Sequence, residues 1–227
     1  MLLDKVESGA SGLVKISAGE TAIFVRLEFW VELGREWNRL FAGAELDEEE
    51  AVDLVVAAKA TEAEARGASL LGRAEQPRFI LRSKLIERGY PGSSVELALE
   101  RLEREGFLSD RRYAEAWLRA RIERAIRASR SSSPGSSRAE GPSSLLVSLR
   151  ARSVGEADAK AALSAVLDAE TRQGLLEAAI ARLSTHKARP GAEDDGGERI
   201  GRARDGLVGD LRELGWKGEE IREALGV

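Results

Sequence analysis

The stretch Leu85-Ile86-Glu87-Arg88-Gly89, followed by Val95 and the pair Ala98-Leu99, sets a pattern that returns twice later in the chain. Counted from the first leucine, a helix-breaking position follows after four residues, an aliphatic side chain after ten, and an Ala-Leu pair after thirteen and fourteen. The other two copies occupy these positions: Leu149, Ser153, Ala159, Ala162 and Leu163; then Leu211, Gly215, Ile221, Ala224 and Leu225. A short helical repeat cannot bury its apolar face alone, so the recurrence predicts an array of small helical modules.

The composition favours helices with charged surfaces. Of 227 residues, 33% are charged, only 5% are aromatic, and the 43% that are hydrophobic are dominated by Ala, Leu and Val. The chain has no cysteine, which excludes disulfides and thiolate metal sites. No apolar run approaches the roughly 20 residues that span a bilayer, and the first residues lack the features of a signal peptide. We therefore expect a cytoplasmic protein without membrane contact.

Charge is unevenly distributed along the chain. The net charge is −4, and it divides into −8 for residues 1–65, +6 for residues 66–130 and −2 for residues 131–227. The centre is thus a basic island, which favours contact with a phosphate backbone or an acidic protein surface. The alternative is a set of solvated helix faces with ion pairs four residues apart, such as Arg101 with Glu105.

The N-terminal segment differs in kind from the rest. Apolar residues fill the odd positions from Ile23 to Leu33, and this period of two predicts a strand over residues 23–33. Residues 12–16 are the predicted partner strand, joined through a turn at residues 17–20. A lone hairpin is marginal in water, so it must pack on another part of the protein. Four aromatic residues are expected to make that contact, with a partner-binding patch as the alternative: Phe24, Phe29, Trp30 and Trp37.

Helices are predicted from Asp47 onward. Two pairs read as capping boxes at helix starts, Asp47 with Glu50 and Thr61 with Glu64. The first module is predicted to contain three helices at residues 62–73, 77–88 and 94–105, the last of which stops at Gly106. Asp110 is then the predicted N-cap of a long amphipathic helix.

These elements give an all-α fold of tandem three-helix repeats with a small N-terminal β-hairpin. The predicted segments are a hairpin at 1–46, a first repeat with its lead-in helix at 47–110, a second repeat at 111–168 and a third at 169–227. Two stretches of linker composition interrupt the array, one Ser-rich at 128–144 and one acidic at 188–198. Both are expected to be surface insertions.

Signals of catalysis are absent from the sequence. The single histidine, His186, is expected near a helix C-terminus, where it interacts with the helix dipole. There is no phosphate-binding glycine loop, and Ser148 and Ser164 have no base nearby. The acidic run from Glu45 to Glu50 fits helix capping better than a divalent ion. We expect neither an enzyme nor a metal or other cofactor.

Short helices joined by a glycine turn also build helix-turn-helix DNA-binding modules. A recognition helix needs base-reading side chains, whereas residues 95–105 offer four glutamates that would repel phosphates. A DNA-binding module is nevertheless the alternative function, with a steep salt dependence carried by residues 66–130. A third hypothesis is a helical scaffold whose aromatic N-terminal hairpin docks another protein.

Three segments resemble the RecX family of regulatory proteins: residues 79–90 (FILRSKLIERGY), residues 99–114 (LERLEREGFLSDRRYA) and residues 211–225 (LRELGWKGEEIREAL). The resemblance covers roughly residues 50–227 and is strongest at 79–122. The second repeat departs from the pattern, because Ser153 stands where a glycine would end the helix.

The resemblance implies an all-helical, elongated and curved molecule that modulates the RecA recombinase. Such proteins bind the RecA–single-stranded DNA filament and suppress strand exchange, ATP hydrolysis and coprotease activity. It therefore implies a role in DNA repair, homologous recombination and the SOS response. The expected partner is the RecA filament, with at most weak contact to single-stranded DNA, and the protein is expected to be a monomer.

Six arginines that concentrate the basic island are the predicted contact residues for the RecA filament: Arg82, Arg88, Arg111, Arg112, Arg119 and Arg121. The competing interpretation is that several of them merely pair with Glu87, Glu115 and Glu123. Structural roles are predicted for ten further residues: Leu85, Gly89, Leu99, Gly106, Asp110, Leu149, Leu163, Leu211, Gly215 and Leu225.

Overall fold

The computed structural model describes residues 1–9, 12–130, 138–187 and 196–226, with side chains for all of these except 186, 187 and 196–203. The described strands are β1 (Lys5–Ser8), β2 (Leu13–Ala18) and β3 (Thr21–Arg26). The described α-helices are α1 (Leu27–Glu32), α2 (Glu48–Leu71), α3 (Arg78–Ile86), α4 (Gly92–Arg104), α5 (Asp110–Ser129), α6 (Pro142–Arg150), α7 (Glu156–Val166), α8 (Ala169–Lys187), α9 (Gly196–Glu213) and α10 (Gly218–Leu225). The chain forms two compact units, Met1–Ser109 and Asp110–Val227, which we call the N-terminal and C-terminal units.

The predicted hairpin is present, as part of a three-stranded antiparallel sheet in the order β1-β2-β3. Cross-strand pairs Val14–Val25 and Ile16–Ile23 turn one face of the sheet toward the core. Ala18 pairs with Thr21, so the connection is a two-residue turn, and Gly19 has the positive φ of 59° that such a turn requires. The strand β1 had not been predicted.

The strand predicted over residues 23–33 is wrong beyond Arg26, where the chain enters the helix α1. Phe29 and Trp30 are fully buried, and their adjacent positions cannot face the same side of one strand. The spacing of Arg26, Phe29 and Trp30 by three and four residues instead fits one helix face. The alternation of apolar residues was real, but tertiary burial decided the local structure.

The long helix α2 begins at the predicted capping box. The backbone N–H of Glu50 donates to the Asp47 carboxylate at 2.8 Å, and the N–H of Asp47 donates to the Glu50 carboxylate at 3.1 Å. The predicted helix start at Thr61 is wrong, because α2 runs unbroken through this residue. The Thr61 hydroxyl instead donates to the Ala57 carbonyl at 2.9 Å and accepts from the N–H of Arg26 at 2.9 Å, which ties α2 to the end of β3.

The three repeats have the predicted order of helices. They comprise α2-α3-α4 in the N-terminal unit and α5-α6-α7 and α8-α9-α10 in the C-terminal unit. In each repeat the second helix ends at the predicted breaking position, where φ is 86° at Gly89, 62° at Ser153 and 90° at Gly215. The residue after each break donates its N–H to the carbonyl of the frame's first leucine, at 3.4, 3.2 and 3.1 Å respectively. This bond from C″ to C3 is the Schellman closure of a helix.

The leucines of the frame form the cores of both units. Leu85, Leu149 and Leu211 are fully buried, as is Leu99. Leu163 is also buried, whereas Leu225 is half-buried against the C-terminal core and its neighbour Ala224 is exposed. The first two copies of the frame therefore bury their closing Ala-Leu pair, and the third does so only in part.

In the described residues, helices extend into both stretches that were predicted to be insertions. The helix α5 runs to Ser129, and α6 begins at Pro142, so both ends of the stretch 128–144 are helical. Ala139 and Glu140 are buried, although this stretch was predicted to have little to bury. Residues 131–137 and 188–195 lie outside the described residues, and α9 already includes 196–198.

Candidate functional site

The predicted contact arginines lie on α3, just after it, and on α5. Arg82 and Arg88 belong to the N-terminal unit, whereas Arg111, Arg112, Arg119 and Arg121 line α5 in the C-terminal unit. The apolar face of α5 is formed by Ala114, Leu118 and Ile122, four residues apart and fully or almost fully buried. This anchoring fixes which α5 arginines face solvent.

One carboxylate organises two of the α5 arginines. Glu115 accepts from Arg111 at 3.1 Å and from Arg119 at 3.2 Å, and both pairs span four residues. The hydrogen bond from Arg111, with that from Arg119, holds the pKa of Glu115 below its usual range. The predicted pairing with Glu115 is thus confirmed, yet the two arginine side chains stay 56% and 61% exposed. Two positive charges share one negative charge here, so the α5 surface keeps a positive excess.

Arg121 has different surroundings. Its guanidinium donates to Glu140, a carboxylate that is 94% buried, and the Nε–Oε1 distance is 2.9 Å. Glu140 also accepts from the hydroxyl of Ser144 at 3.1 Å, in the first turn of α6. Arg121 therefore joins α5 to the start of α6.

On α3, Arg82 is also engaged by a carboxylate. Arg82 and Arg78 both donate to Glu96 of α4, with distances of 2.5 and 2.9 Å. Arg88 lies beyond the end of α3, where it is exposed and donates to the Lys84 carbonyl at 2.6 Å. Such a contact caps the helix C-terminus and leaves most of the guanidinium accessible.

Exposed apolar side chains accompany these arginines, and they are not among the residues predicted for the site. Phe79 is 55% exposed and Ile86 is 38% exposed, and both lie on the face of α3 that carries Arg82. Phe107, between α4 and α5, is 57% exposed. A helix face that places aromatic and aliphatic groups beside arginine has the composition of a protein-binding surface. The signal available in the sequence was the spacing of Phe79, Arg82 and Ile86 by three and four residues.

A second set of basic residues is internal to the N-terminal unit. Arg101 of α4 is 86% buried at its side chain, donates to Glu64 at 3.0 Å and also bonds Glu28. Arg26 donates to the same Glu64 at 2.7 Å. Burial, together with the charge of Arg26, lowers the pKa of Arg101. This network fastens the end of β3 and α1 to α2 and α4. The predicted pair of Arg101 with Glu105 is present as well, at 3.4 Å.

The acidic and histidine side chains of the described residues do not form a metal-binding cluster. Among these residues, no three His, Asp or Glu side chains lie close enough together to hold a metal ion. The carboxylates of Asp47 and Glu50 serve the capping box described above. The side chain of His186 lies outside the described residues. No described helix is long and apolar enough to cross a membrane.

The known proteins found to resemble this chain are regulatory proteins named RecX. A regulatory protein RecX from Treponema pallidum is 34% identical over 119 residues, which are 52% of this chain and 65% of that protein. The RecX of Pseudomonas entomophila is 48% identical over 52 residues, 23% of this chain and 34% of its own length. The chain thus spans less than two thirds of the length of these curated relatives. No family model matches the chain.

Solved structures share the fold over greater lengths. A crystal structure of a regulatory protein RecX superposes with a TM-score of 0.61 at 20% identity and covers 98% of this chain and 97% of its own. The crystal structure of RecX from Lactobacillus salivarius gives a TM-score of 0.51 at 13% identity, covering 74% of this chain and 95% of its own. At these identities the superpositions establish the fold, while the curated relatives supply the likeness in sequence. The chain therefore resembles regulatory proteins named RecX in sequence over about half of its length and shares the fold of the solved RecX structures.

Proposed function

We propose that this protein binds the filament that RecA forms on single-stranded DNA and lowers its recombinase, ATPase and coprotease activities. The observation that carries the proposal is the likeness to RecX relatives across 119 residues, in a chain whose three helical repeats share one frame. An array of repeats offers several separate contacts to a partner that is itself a repeating polymer. Avidity then replaces a single deep pocket.

The exposed face of α5 is the proposed electrostatic contact surface of the C-terminal unit. Arg111, Arg112 and Arg119 occupy the first three turns of α5, and all three are exposed. Glu115 holds two of them in place, so less side-chain entropy is lost when a partner binds. Carboxylates of a protein or phosphates of the bound strand are suitable acceptors for guanidinium groups.

The exposed face of α3 is the proposed apolar contact surface of the N-terminal unit. Phe79 and Ile86 offer anchoring groups, and Arg88 lies beyond the last turn of the same helix. Aromatic and arginine side chains carry most of the binding energy at protein interfaces. A surface of this kind favours a protein partner over a naked duplex, which would leave the phenyl group in water.

Two of the six predicted arginines are less suited to direct contact. Arg82 is engaged by Glu96, and Arg121 by the buried Glu140. A partner that captured Arg121 would leave the Glu140 charge buried and unpaired, at considerable cost. We therefore assign contact chiefly to Arg88, Arg111, Arg112 and Arg119, and expect Arg121 to act through the stability of the C-terminal unit.

The test is the ATP hydrolysis that single-stranded DNA stimulates in RecA from the same organism, titrated with this protein. Inhibition at substoichiometric amounts is expected, because one bound array restrains several neighbouring subunits. A variant with Phe79→Ser and Ile86→Ser should inhibit less at an unchanged melting temperature, since both side chains are exposed. The matched control is Val147→Ser, which removes another exposed aliphatic group, on α6.

The alternative of a DNA-binding module acting without RecA makes a different prediction. It requires binding to naked DNA with a steep dependence on salt. No change in ATP hydrolysis, combined with tight binding to DNA alone, would replace the filament proposal by this one. Absence of both effects would contradict both functions.

A further inference from the structure

An apolar groove opens on the surface of the N-terminal unit, away from the proposed contact arginines in sequence. It has a volume of about 530 Å³ and runs between the sheet, the start of the chain and α2. Its floor contains the buried Ile16 and Leu54, and its sides carry Leu2 and Val55, which are 56% and 54% exposed. Grooves of about 300–1,000 Å³ are the size that bound groups occupy in proteins. Two exposed aliphatic side chains facing one such groove are costly to leave in water.

Charge on this part of the molecule is strongly one-sided. All six basic side chains of residues 1–65 lie within 4.0 Å of a carboxylate, and these pairs neutralise them: Lys5, Lys15, Arg26, Arg35, Arg39 and Lys59. The same segment holds 14 acidic residues, of which Glu28 and Glu32 pair with Arg101 and Arg104 of α4, and the remainder still gives a surplus of negative charge. These ion pairs carry no net charge, so they do not reduce the negative charge that an approaching ligand meets.

Part of the surplus lies beside the groove. Asp4 lines it and keeps one oxygen on the N–H of Gly19 at 2.6 Å. Glu20 is exposed in the adjoining hairpin turn. Glu45 is also exposed, and it pairs with Leu2 in an isolated β-bridge. The amino group of Met1 is directed to the Leu46 carbonyl at 2.6 Å. The groove is thus an apolar hollow lined by the Asp4 carboxylate, with Glu20 and Glu45 exposed next to two of its lining residues, Gly19 and Leu2.

We propose that this groove docks a partner segment whose apolar side chains are flanked by lysine or arginine. The apolar groups of such a segment would cover Leu2 and Val55, and its cations would face Asp4, Glu20 and Glu45. An acidic or uncharged segment would fit the hollow but lack complementary charge. Such docking goes beyond the proposed action on RecA, because it gives the N-terminal sheet a binding role of its own.

The test measures fluorescence anisotropy of a short fluorescein-labelled peptide in which leucine alternates with lysine, titrated with the full chain. One control peptide has glutamate in place of lysine, and another has serine in place of leucine. The decisive variant combines Leu2→Ser with Val55→Ser, both at exposed positions. We expect it to lower affinity for the leucine–lysine peptide about tenfold or more, as befits loss of two apolar contacts.

The matched control is Val52→Ser. Val52 lies one turn before Val55 on α2 and is 58% exposed, but it faces a separate hollow beside Arg35 and Asp53. Affinity of this variant should stay unchanged. A second variant, Glu20→Gln with Glu45→Gln, should weaken binding and flatten its dependence on salt.

Three results would overturn the proposal. The first is failure of the leucine–lysine peptide to bind, or equal binding of the glutamate peptide. The second is an equal loss of affinity in the Val52→Ser control. The third comes from sedimentation velocity: if the chain self-associates and Leu2→Ser with Val55→Ser abolishes this, the groove takes a second copy of the chain. None of these readouts involves RecA, so their failure is distinct from failure of the proposed function.

Discussion

Ser153 occupies a backbone position that glycine fills in the other two repeats. Its φ of 62° lies in the left-handed region, and it is the one non-glycine residue with positive φ among the described residues. The side chain makes this conformation unfavourable, because Cβ crowds the neighbouring carbonyl. Burial of Leu149 and Val154 on either side of the turn nevertheless holds the break in place.

Replacing Ser153 by glycine should therefore stabilise the C-terminal unit. We expect a gain of about 0.5–1 kcal/mol, since relief of the left-handed strain exceeds the greater chain entropy of glycine when unfolded. Urea unfolding followed by circular dichroism measures it. The reciprocal control is Gly89→Ser, where a Cβ meets no atom within 4 Å and φ alone opposes the change. A stabilised Gly89→Ser variant would contradict this account of the strain.

Glu50 makes stability depend on pH. The hydrogen bond from Arg39, followed by that from the Asp47 N–H, lowers the pKa of Glu50 from 4.5 to about 2. The folded state then binds fewer protons than the unfolded state between these values, so stability falls as pH drops from 4.5 toward 2. A Glu50→Gln variant should be less stable at neutral pH and show a shallower fall across that window. Melting temperatures measured at both ends check this, and an unchanged slope would exclude Glu50 as the cause.

At the residue scale, several local signals in the sequence were confirmed. The three breaks and the capping box at Asp47 depend on neighbours within five residues, and all are present. The pairing of Glu115 with arginines four residues away was equally predictable. The partners of Arg82 and Arg121 lie 14 and 19 residues away. No local pattern indicates such contacts, so these two arginines could not be recognised as structural.

At the scale of elements, α5 and α6 are held together by the Arg121–Glu140 pair. Replacing Arg121 by alanine would leave the carboxylate of Glu140 buried without its cation. We expect a loss of about 2–3 kcal/mol in the unfolding free energy of the C-terminal unit. The matched control on the same helix, Arg119→Ala, should cost less than about 0.5 kcal/mol because its pair is exposed. Equal losses, measured by urea unfolding, would show that Arg121 has no special structural role.

The start of α6 also packs closely on the turn between α9 and α10. A Cβ at Gly141 would lie 2.5 Å from the Leu214 carbonyl oxygen and 2.8 Å from the Trp216 ring nitrogen. Neither group can move freely, because Ser143 donates its N–H to Leu214 at 2.9 Å and Trp216 is buried. Gly141→Ala should therefore destabilise the C-terminal unit by about 1–3 kcal/mol.

The control for this close approach is Gly155→Ala. Gly155 is also a glycine at a helix start, with a φ of −60°, and a Cβ added there would meet only the Asp158 carboxylate within 4 Å, at 3.9 Å. Alanine fits that backbone, so thermal unfolding should shift little. A similar loss of stability in both variants would point to a general need for glycine before a helix.

The error at α1 shows why some elements could not be predicted. Apolar residues alternate with a period of two over the whole of residues 23–33, but the chain is a strand only as far as Arg26. Beyond it, packing of Phe29 and Trp30 into the core selects a helix. Two interpretations of one pattern were available, and the contacts that decide between them come from α2, far along the chain. The sequence predicted a second helix start inside α2 for a similar reason. Thr61 and Glu64 have the spacing of a capping box, but Thr61 lies in the middle of α2 and its hydroxyl donates to a carbonyl of the same helix.

At the scale of the whole molecule, charge is divided between segments of the chain. The acidic surplus lies in residues 1–65 and the basic surplus in residues 66–130. Several arginines of the N-terminal unit form ion pairs with Glu28, Glu64 and Glu96. On α5, Arg111, Arg112 and Arg119 are exposed, whereas Glu48 and Glu49 are exposed at the start of α2.

This division leads to a test of the filament contact in which two variants carry the same change of total charge. A variant with Arg111→Glu and Arg112→Glu should inhibit RecA-dependent ATP hydrolysis at least about tenfold less well, because repulsion replaces attraction at the proposed surface. Its inhibition should also depend less on salt than that of the unmodified protein. The matched control reverses Arg150 and Lys160, two exposed cations of the same unit that pair with Glu156. Both variants change the net charge equally, so a general electrostatic effect would weaken them alike, whereas a contact made by α5 weakens only the first.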